Sequence, residues 1–190
     1  MRLINVEKQT ENKFVNLYKL KYETDNNKYI NYELASRRSK DELSCVKFRS
    51  FDCDAVVMIP MYTNGDIVMI KQFRPAINQF IYEFPAGLVD KQEAPVSAAI
   101  RELYEETGLK AIKADLLIEP SFISSGMTDE RLAMFKFNVI GEPNTKNKEE
   151  DENIEVVIIK REEIQTLLET KEIAFTARMG LKLILEQEGI

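Results

Sequence analysis

Glu102, Glu105 and Glu106 recur at intervals of three and four residues, a spacing that puts three carboxylates on one face of a helix. Like charges on adjacent turns repel by about 0.2–0.5 kcal/mol per exposed pair. Arg101, four residues before Glu105, offsets part of that repulsion. Two outcomes fit such a pattern. One is a solvated acidic face; the other is a site for a hard divalent cation, which takes oxygen ligands and turns repulsion into coordination. Mg²⁺ takes a few carboxylates together with waters and substrate phosphates, and that suits a helix face better than a closed cage does.

The remaining inventory narrows the chemistry. There is no histidine among the 190 residues, which excludes Ser-His-Asp catalysis, Cys-His pairs and imidazole zinc sites. A net charge of −6, from 26 basic and 32 acidic residues, has the wrong sign for a protein that lives on phosphate backbones, so no nucleic-acid partner is expected. Cys45 and Cys53 are too few for a disulfide scaffold and fit a reducing, cytoplasmic setting. No apolar run approaches the roughly 20 residues of a membrane helix, and the opening MRLINVEKQTENK carries no secretory apolar stretch. Neither membrane insertion nor export is expected.

The glutamates must be held by a helix. Pro95 suits its first turn and Gly108 its left-handed C-terminal cap. Between them Val96, Ala99, Ile100 and Leu103 make an apolar stripe for packing on a sheet, roughly 120° from the glutamate face. Around this helix the chain reads as strands. Tyr29–Arg37 alternates, and the cluster TDNNK before it is a turn between two strands. Asp54–Met61 and Asp66–Phe73 flank Asn64-Gly65, a hairpin signal. Gln79–Phe84, Leu132–Ile140 and Ile154–Ile159 are further strands; Arg161–Thr170 and Phe175–Gln187 are helices, the last offering Met179, Leu183 and Leu185 to a core. The polar run Gly141–Asn153 reads as a mobile surface loop. The class is therefore α/β, in the mixed α+β sense, within one ordinary domain plus a small appendage.

The segment Gly87–Leu109 resembles the Nudix box, Gly-x5-Glu-x7-Arg-Glu-U-x-Glu-Glu-x-Gly-U with U a bulky aliphatic. Gly87, Glu93, Arg101, Glu102, Leu103, Glu105, Glu106, Gly108 and Leu109 fill every specified position. The resemblance implies the Nudix fold, a mixed β-sheet sandwiched between helices with the box as loop-helix-loop. It also implies a Nudix hydrolase that cleaves a nucleoside diphosphate derivative by metal-assisted attack of water, with Mg²⁺ as cofactor and Mn²⁺ as a substitute. By position in the box, Glu102 and Glu106 are metal ligands and Glu105 a further ligand with a catalytic share. Arg101 orients the carboxylates, Glu93 either holds the box or binds metal, and Gly87 lets the backbone turn close to the site. The Ala86 carbonyl is an extra metal ligand by the same resemblance.

The flanks point to one branch. Gln72-Phe73-Arg74-Pro75 and Glu83-Phe84-Pro85-Ala86-Gly87 resemble the ADP-ribose pyrophosphatases, as does Ser124-Ser125-Gly126-Met127-Thr128-Asp129-Glu130 after the box. In that branch the second loop carries a glutamate that positions or deprotonates the water, a role that falls on Glu130 with Asp129 as competitor. One position departs: the branch has a proline directly before the loop glycine, and here it is Ser125. That loosens ADP-ribose as the substrate more than it loosens pyrophosphate hydrolysis, and leaves ADP-glucose or GDP-mannose open.

Arg74 suits a substrate phosphate, because a guanidinium offers paired donors. Tyr32-Glu33-Leu34-Ala35-Ser36-Arg37-Arg38 resembles the branch's N-terminal nucleotide-binding strand, with Tyr32 against a base and Arg37 or Arg38 at phosphate or ribose. Residues 1–45 are then an N-terminal β arm used for homodimerisation, and 46–190 the Nudix hydrolase domain. Expected products from ADP-ribose are AMP and ribose 5-phosphate. Alternatives are a pyrophosphatase that sanitises nucleoside triphosphates, or a catalytically silent domain that senses ADP-ribose. The intact glutamate set disfavours the silent domain.

Overall fold

The computed structural model describes residues 1–148 and 153–187; residues 149–152 of the polar run after Gly141 lie outside them. The chain divides into two compact units, one of Ala55–Glu119 with Ala133–Ile190 and one of Met1–Asp54 with Pro120–Leu132.

The larger unit is built on consecutive apolar residues. In strand β4 (Ala55–Met61) every residue from Val56 to Met61 is buried, and in β5 (Ile67–Arg74) so are Ile67–Ile70. A strand buried at successive positions is covered on both faces, as in a sheet between layers. The hairpin expected at Asn64-Gly65 forms, with Gly65 at φ 89°. β6 (Gln79–Glu83) pairs antiparallel with β5, and β7 (Ala86–Leu88) pairs with β4. β8 (Lys110–Phe122), β9 (Arg131–Ile140) and β10 (Ile154–Ile159) complete a seven-stranded sheet ordered β10-β5-β4-β9-β8.

β8 and β7 are not evident in the sequence. β8 is mostly exposed, ends with Pro120 near its edge and lacks a clean alternation, while β7 has only three residues and contains Gly87. Helix α1 (Pro95–Thr107) packs on β4 and β7; α2 (Ile164–Thr170) follows a 3-10 turn at Arg161–Glu163. In α3 (Phe175–Gln187) the buried stripe is Ala177, Gly180, Leu181 and Ile184, rather than the expected Met179, Leu183 and Leu185. Gly180 decides it. A Cβ there would stand 2.6 Å from the Phe84 ring and 3.0 Å from Ile59, so the helix comes closest at the residue with no side chain.

The smaller unit carries a three-stranded antiparallel sheet of β1 (Arg2–Lys8), β2 (Asn16–Glu23) and β3 (Tyr29–Ser36), the last two joined at the expected turn. Tyr18, Leu20, Leu34, Val6 and Leu43 form its own core. The loop between β8 and β9 belongs here, with a parallel bridge from Ala35 to Thr128. Among the described residues no helix is long and apolar enough to cross a membrane.

Candidate active site

α1 begins with Pro95 at its first turn and ends at Gly108, which adopts φ 69° and donates its N–H to the Tyr104 carbonyl at 2.8 Å. The helix is turned further than its apolar spacing suggests. Ala98, Ala99, Leu103, Glu106 and Thr107 are buried, whereas Val96 and Ile100 are 39% and 45% exposed. The expected stripe is therefore corrected. Glu106, only 3% exposed, lies in the buried face because its carboxylate accepts the Ala86 N–H at 3.0 Å, a charge-assisted bond that replaces the lost water. The three carboxylates run from buried Glu106 through half-buried Glu102 to the more open Glu105.

Arg101 organises the rest. Its Nη1 donates to Glu102 at 2.7 Å and to Glu105 at 3.1 Å; Nη2 and Nε hold both oxygens of Glu93 at 2.9 and 3.1 Å, and Nη2 also reaches the Leu88 carbonyl. The fork ties the loop before α1 to the helix face. These carboxylates raise the guanidinium's pKa, with Glu93 the largest contributor. The Glu93 carboxyl is held below its ordinary value by Arg101 first and by the Asp90 N–H second. Gly87 sits directly under Glu102: a Cβ on it would lie 1.9 Å from Glu102 Cδ. Only glycine leaves the carboxylate that room.

These residues suit a divalent ion in one respect, since every donor is a hard oxygen and Gly87 keeps Glu102 against the loop backbone. Among the described residues no three acidic or cysteine side chains converge on a preformed cage, because Arg101 fans Glu93, Glu102 and Glu105 around itself. An ion held by a few carboxylates plus water matches this better than a closed site. Nearby in the same unit, the Arg74 guanidinium is engaged by buried Glu83, with Nε 3.1 and 3.0 Å from the two oxygens and Nη2 on one of them. Glu83, part of the flank that resembles the ADP-ribose pyrophosphatases, thereby gains an individual partner. The β5–β6 register sets Glu83 opposite Ile70 and Arg74 opposite Gln79, so the two long side chains meet by reaching along the same face of the hairpin.

The other residues drawn from the sequence lie in the smaller unit. Tyr32 is part-exposed and its hydroxyl donates to the Gly126 carbonyl. Arg37 and Arg38 separate in role. The Arg37 side chain is 46% exposed and its Nε meets Glu130 at 3.2 Å. Arg38 is largely buried among Asp54 at 2.6 Å, Asp52 at 3.3 Å and Asp129 at 3.7 Å. Asp129 is 7% exposed and accepts from the Ser36 hydroxyl at 2.6 Å and the Ser44 N–H at 2.9 Å.

A family model described as NUDIX domain matches residues 53–179. An ADP-ribose pyrophosphatase of Bacillus subtilis (strain 168) is 36% identical over 120 residues, 63% of this chain and 64% of that protein. The chain thus matches slightly less than two thirds of that relative's length. An uncharacterized Nudix hydrolase of Schizosaccharomyces pombe (strain 972) is 28% identical over 189 residues, covering 95% of this chain and 88% of its own. Among solved structures, a crystal structure of an ADP compounds hydrolase superposes with a TM-score of 0.77 at 20% identity over 99% of this chain and 95% of that one, a likeness of fold.

Proposed function

The chain belongs to the NUDIX family, and on that premise we propose that it hydrolyses the pyrophosphate bond of ADP-ribose or a related nucleoside diphosphate sugar, giving AMP and ribose 5-phosphate from ADP-ribose. The observation that carries the reading is the complete box held in one piece: Glu106 on the Ala86 N–H, Glu102 over Gly87, and Arg101 bridging loop and helix. The names of the relatives supply the substrate class.

Nudix hydrolases use divalent metals; here we take the ion as Mg²⁺, with Mn²⁺ able to replace it. When bound, it supplies neutralisation of the diphosphate charge and orientation of the attacking water. Glu102 and Glu106 would hold it, with Glu105, the Ala86 carbonyl and Glu93 as further oxygen donors. Arg101 keeps those carboxylates in register. Arg74 is a phosphate-gripping group if substrate draws it from Glu83. In the smaller unit Arg37 suits a phosphate better than Arg38, whose guanidinium is already surrounded by carboxylates. Tyr32 is assigned to the nucleotide base and Glu130 to positioning water. The protein acts as a cytoplasmic homodimer through residues 1–45, with no nucleic-acid or membrane partner.

A panel of ADP-ribose, ADP-glucose, GDP-mannose and nucleoside triphosphates, incubated with Mg²⁺ or Mn²⁺ and read as released AMP or GMP by chromatography, tests the reading. ADP-ribose or another diphosphate sugar is turned over fastest. No turnover of any diphosphate would favour a binding domain without catalysis. Glu106→Gln, which removes one charge from the buried face, lowers kcat by about a hundredfold or more with the fold intact. Near-wild-type activity in that variant would remove Glu106 from the ligand set.

A further inference from the structure

Asp129 and Glu130 are adjacent acids in the loop between β8 and β9, and the fold treats them oppositely. Both oxygens of Asp129 are occupied inside the smaller unit, one by the Ser36 hydroxyl at 2.6 Å and the other by the Ser44 N–H at 2.9 Å, with Arg38 Nε at 3.7 Å. Ser36 closes β3 and Ser44 follows the 3-10 turn Lys40–Glu42, so one buried carboxylate binds two segments to the loop. On the other side of Glu130, Arg131 is fixed just as firmly. Its N–H donates to Asp54 Oδ2 at 2.8 Å, and its carbonyl accepts the Asp54 N–H at 2.9 Å. Its guanidinium lies over the Phe122 and Phe48 rings at 4.3 and 5.3 Å and donates to the Arg49 carbonyl.

Arg38 connects the two anchors, since it faces Asp129 while bonding Asp54 at 2.6 Å. Upstream, the loop is sewn to β3 by the Ala35 N–H on the Met127 carbonyl at 2.9 Å and by the Tyr32 hydroxyl on the Gly126 carbonyl. Glu130 stands between the anchors with its side chain still 23% exposed and its carboxylate meeting the Arg37 guanidinium at 3.2 Å.

We infer that Asp129 is a positioning residue, not the water-directing acid: it fixes the loop so that Glu130 is presented in one orientation. A carboxylate only 7% exposed, held on both oxygens and facing a buried guanidinium, is closed off from solvent and from an attacking water, and removing its charge strands donors that burial makes costly to leave unpaired. The inference rests on the role proposed for Glu130.

Asp129→Asn tests it, because an amide cannot accept on both arms and carries no charge toward Arg38. Two readouts are taken. Amide hydrogen exchange across residues 124–131 quickens in Asp129→Asn while the core strands of the larger unit keep their protection. In turnover, Asp129→Asn lowers kcat about tenfold with KM within about threefold, and the double variant with Glu130→Gln is no slower than Glu130→Gln alone. Multiplying losses in the double variant would show that Asp129 does not act through Glu130 and would overturn the inference. So would unchanged exchange in the loop, a result that stands even if wild-type protein hydrolyses nothing and the proposed activity fails. Ser36→Ala removes one donor to the same carboxylate and gives a smaller effect of the same sign, which keeps the test open should Asp129→Asn not fold.

Discussion

At the scale of single residues, the polar groups of the box are paired with one another and with the loop backbone. Glu106 is buried on a backbone N–H, and Glu102 and Glu105 share Arg101. Gly87 is needed for a purely steric reason. Alanine there would force Glu102 away, since the added Cβ falls 1.9 Å from its carboxyl carbon. The side chain is long and can swing aside, so the loss falls on chemistry rather than on stability. Gly87→Ala lowers kcat at least tenfold, roughly what misplacing a reacting group costs, while thermal melts shift little. A large drop in melting temperature with intact specific activity would contradict this account of Gly87.

At the scale of elements, α1 and the loop before it are one unit because Glu93 and Arg101 join them. The Glu93 carboxyl titrates lower in the folded chain than its ordinary 4.5, chiefly through Arg101. The stabilisation from that pair is complete above the unfolded value and disappears as the pH falls through the folded one. Thermal melts of wild type and Glu93→Gln in chelator-treated buffer are therefore separated by a constant interval from pH 7 to about pH 5, and the interval closes in more acid solution. A gap that widens on acidification would reverse the sign and refute the assignment. The box helix also shows how packing overrides a pattern. Its apolar spacing favoured Val96 and Ile100, yet the helix leaves them exposed and buries Glu106, whose carboxylate is paired with the Ala86 N–H of β7.

At the scale of the molecule, the chain leaves the smaller unit at Asp54 and returns to it at Pro120–Leu132. The returning segment depends on the N-terminal one. Ser36 and Ser44 hold Asp129, Tyr32 holds Gly126, Ala35 holds Met127 and Asp54 holds Arg131. Deleting residues 1–45 would strip most of those partners from a loop that keeps its apolar Phe122 and its acids. The truncated chain is expected to aggregate or to show rapid exchange across residues 120–132, measured by light scattering and hydrogen exchange. A monodisperse, fully protected truncation would mean that the arm is dispensable.

Much of this was legible in the residues alone, and the reason is local. The box is a run of 23 positions whose chemistry, helix start and left-handed cap are all set by near neighbours, so Pro95, Gly108 and the glutamate spacing could be read without a fold. The Asn64-Gly65 hairpin and the alternating strands were legible for the same reason. Tertiary structure decided what depends on distant partners: Glu83 beside Arg74, Gly180 against Phe84, the exposed β8, and which of Arg37 and Arg38 faces outward. It also separated Asp129 from Glu130. Side by side in the chain they are equivalent acids; in the fold one is enclosed by donors from residues 36 and 44 and the other stays part-exposed against Arg37, because burial and pairing are set by segments some 90 positions away.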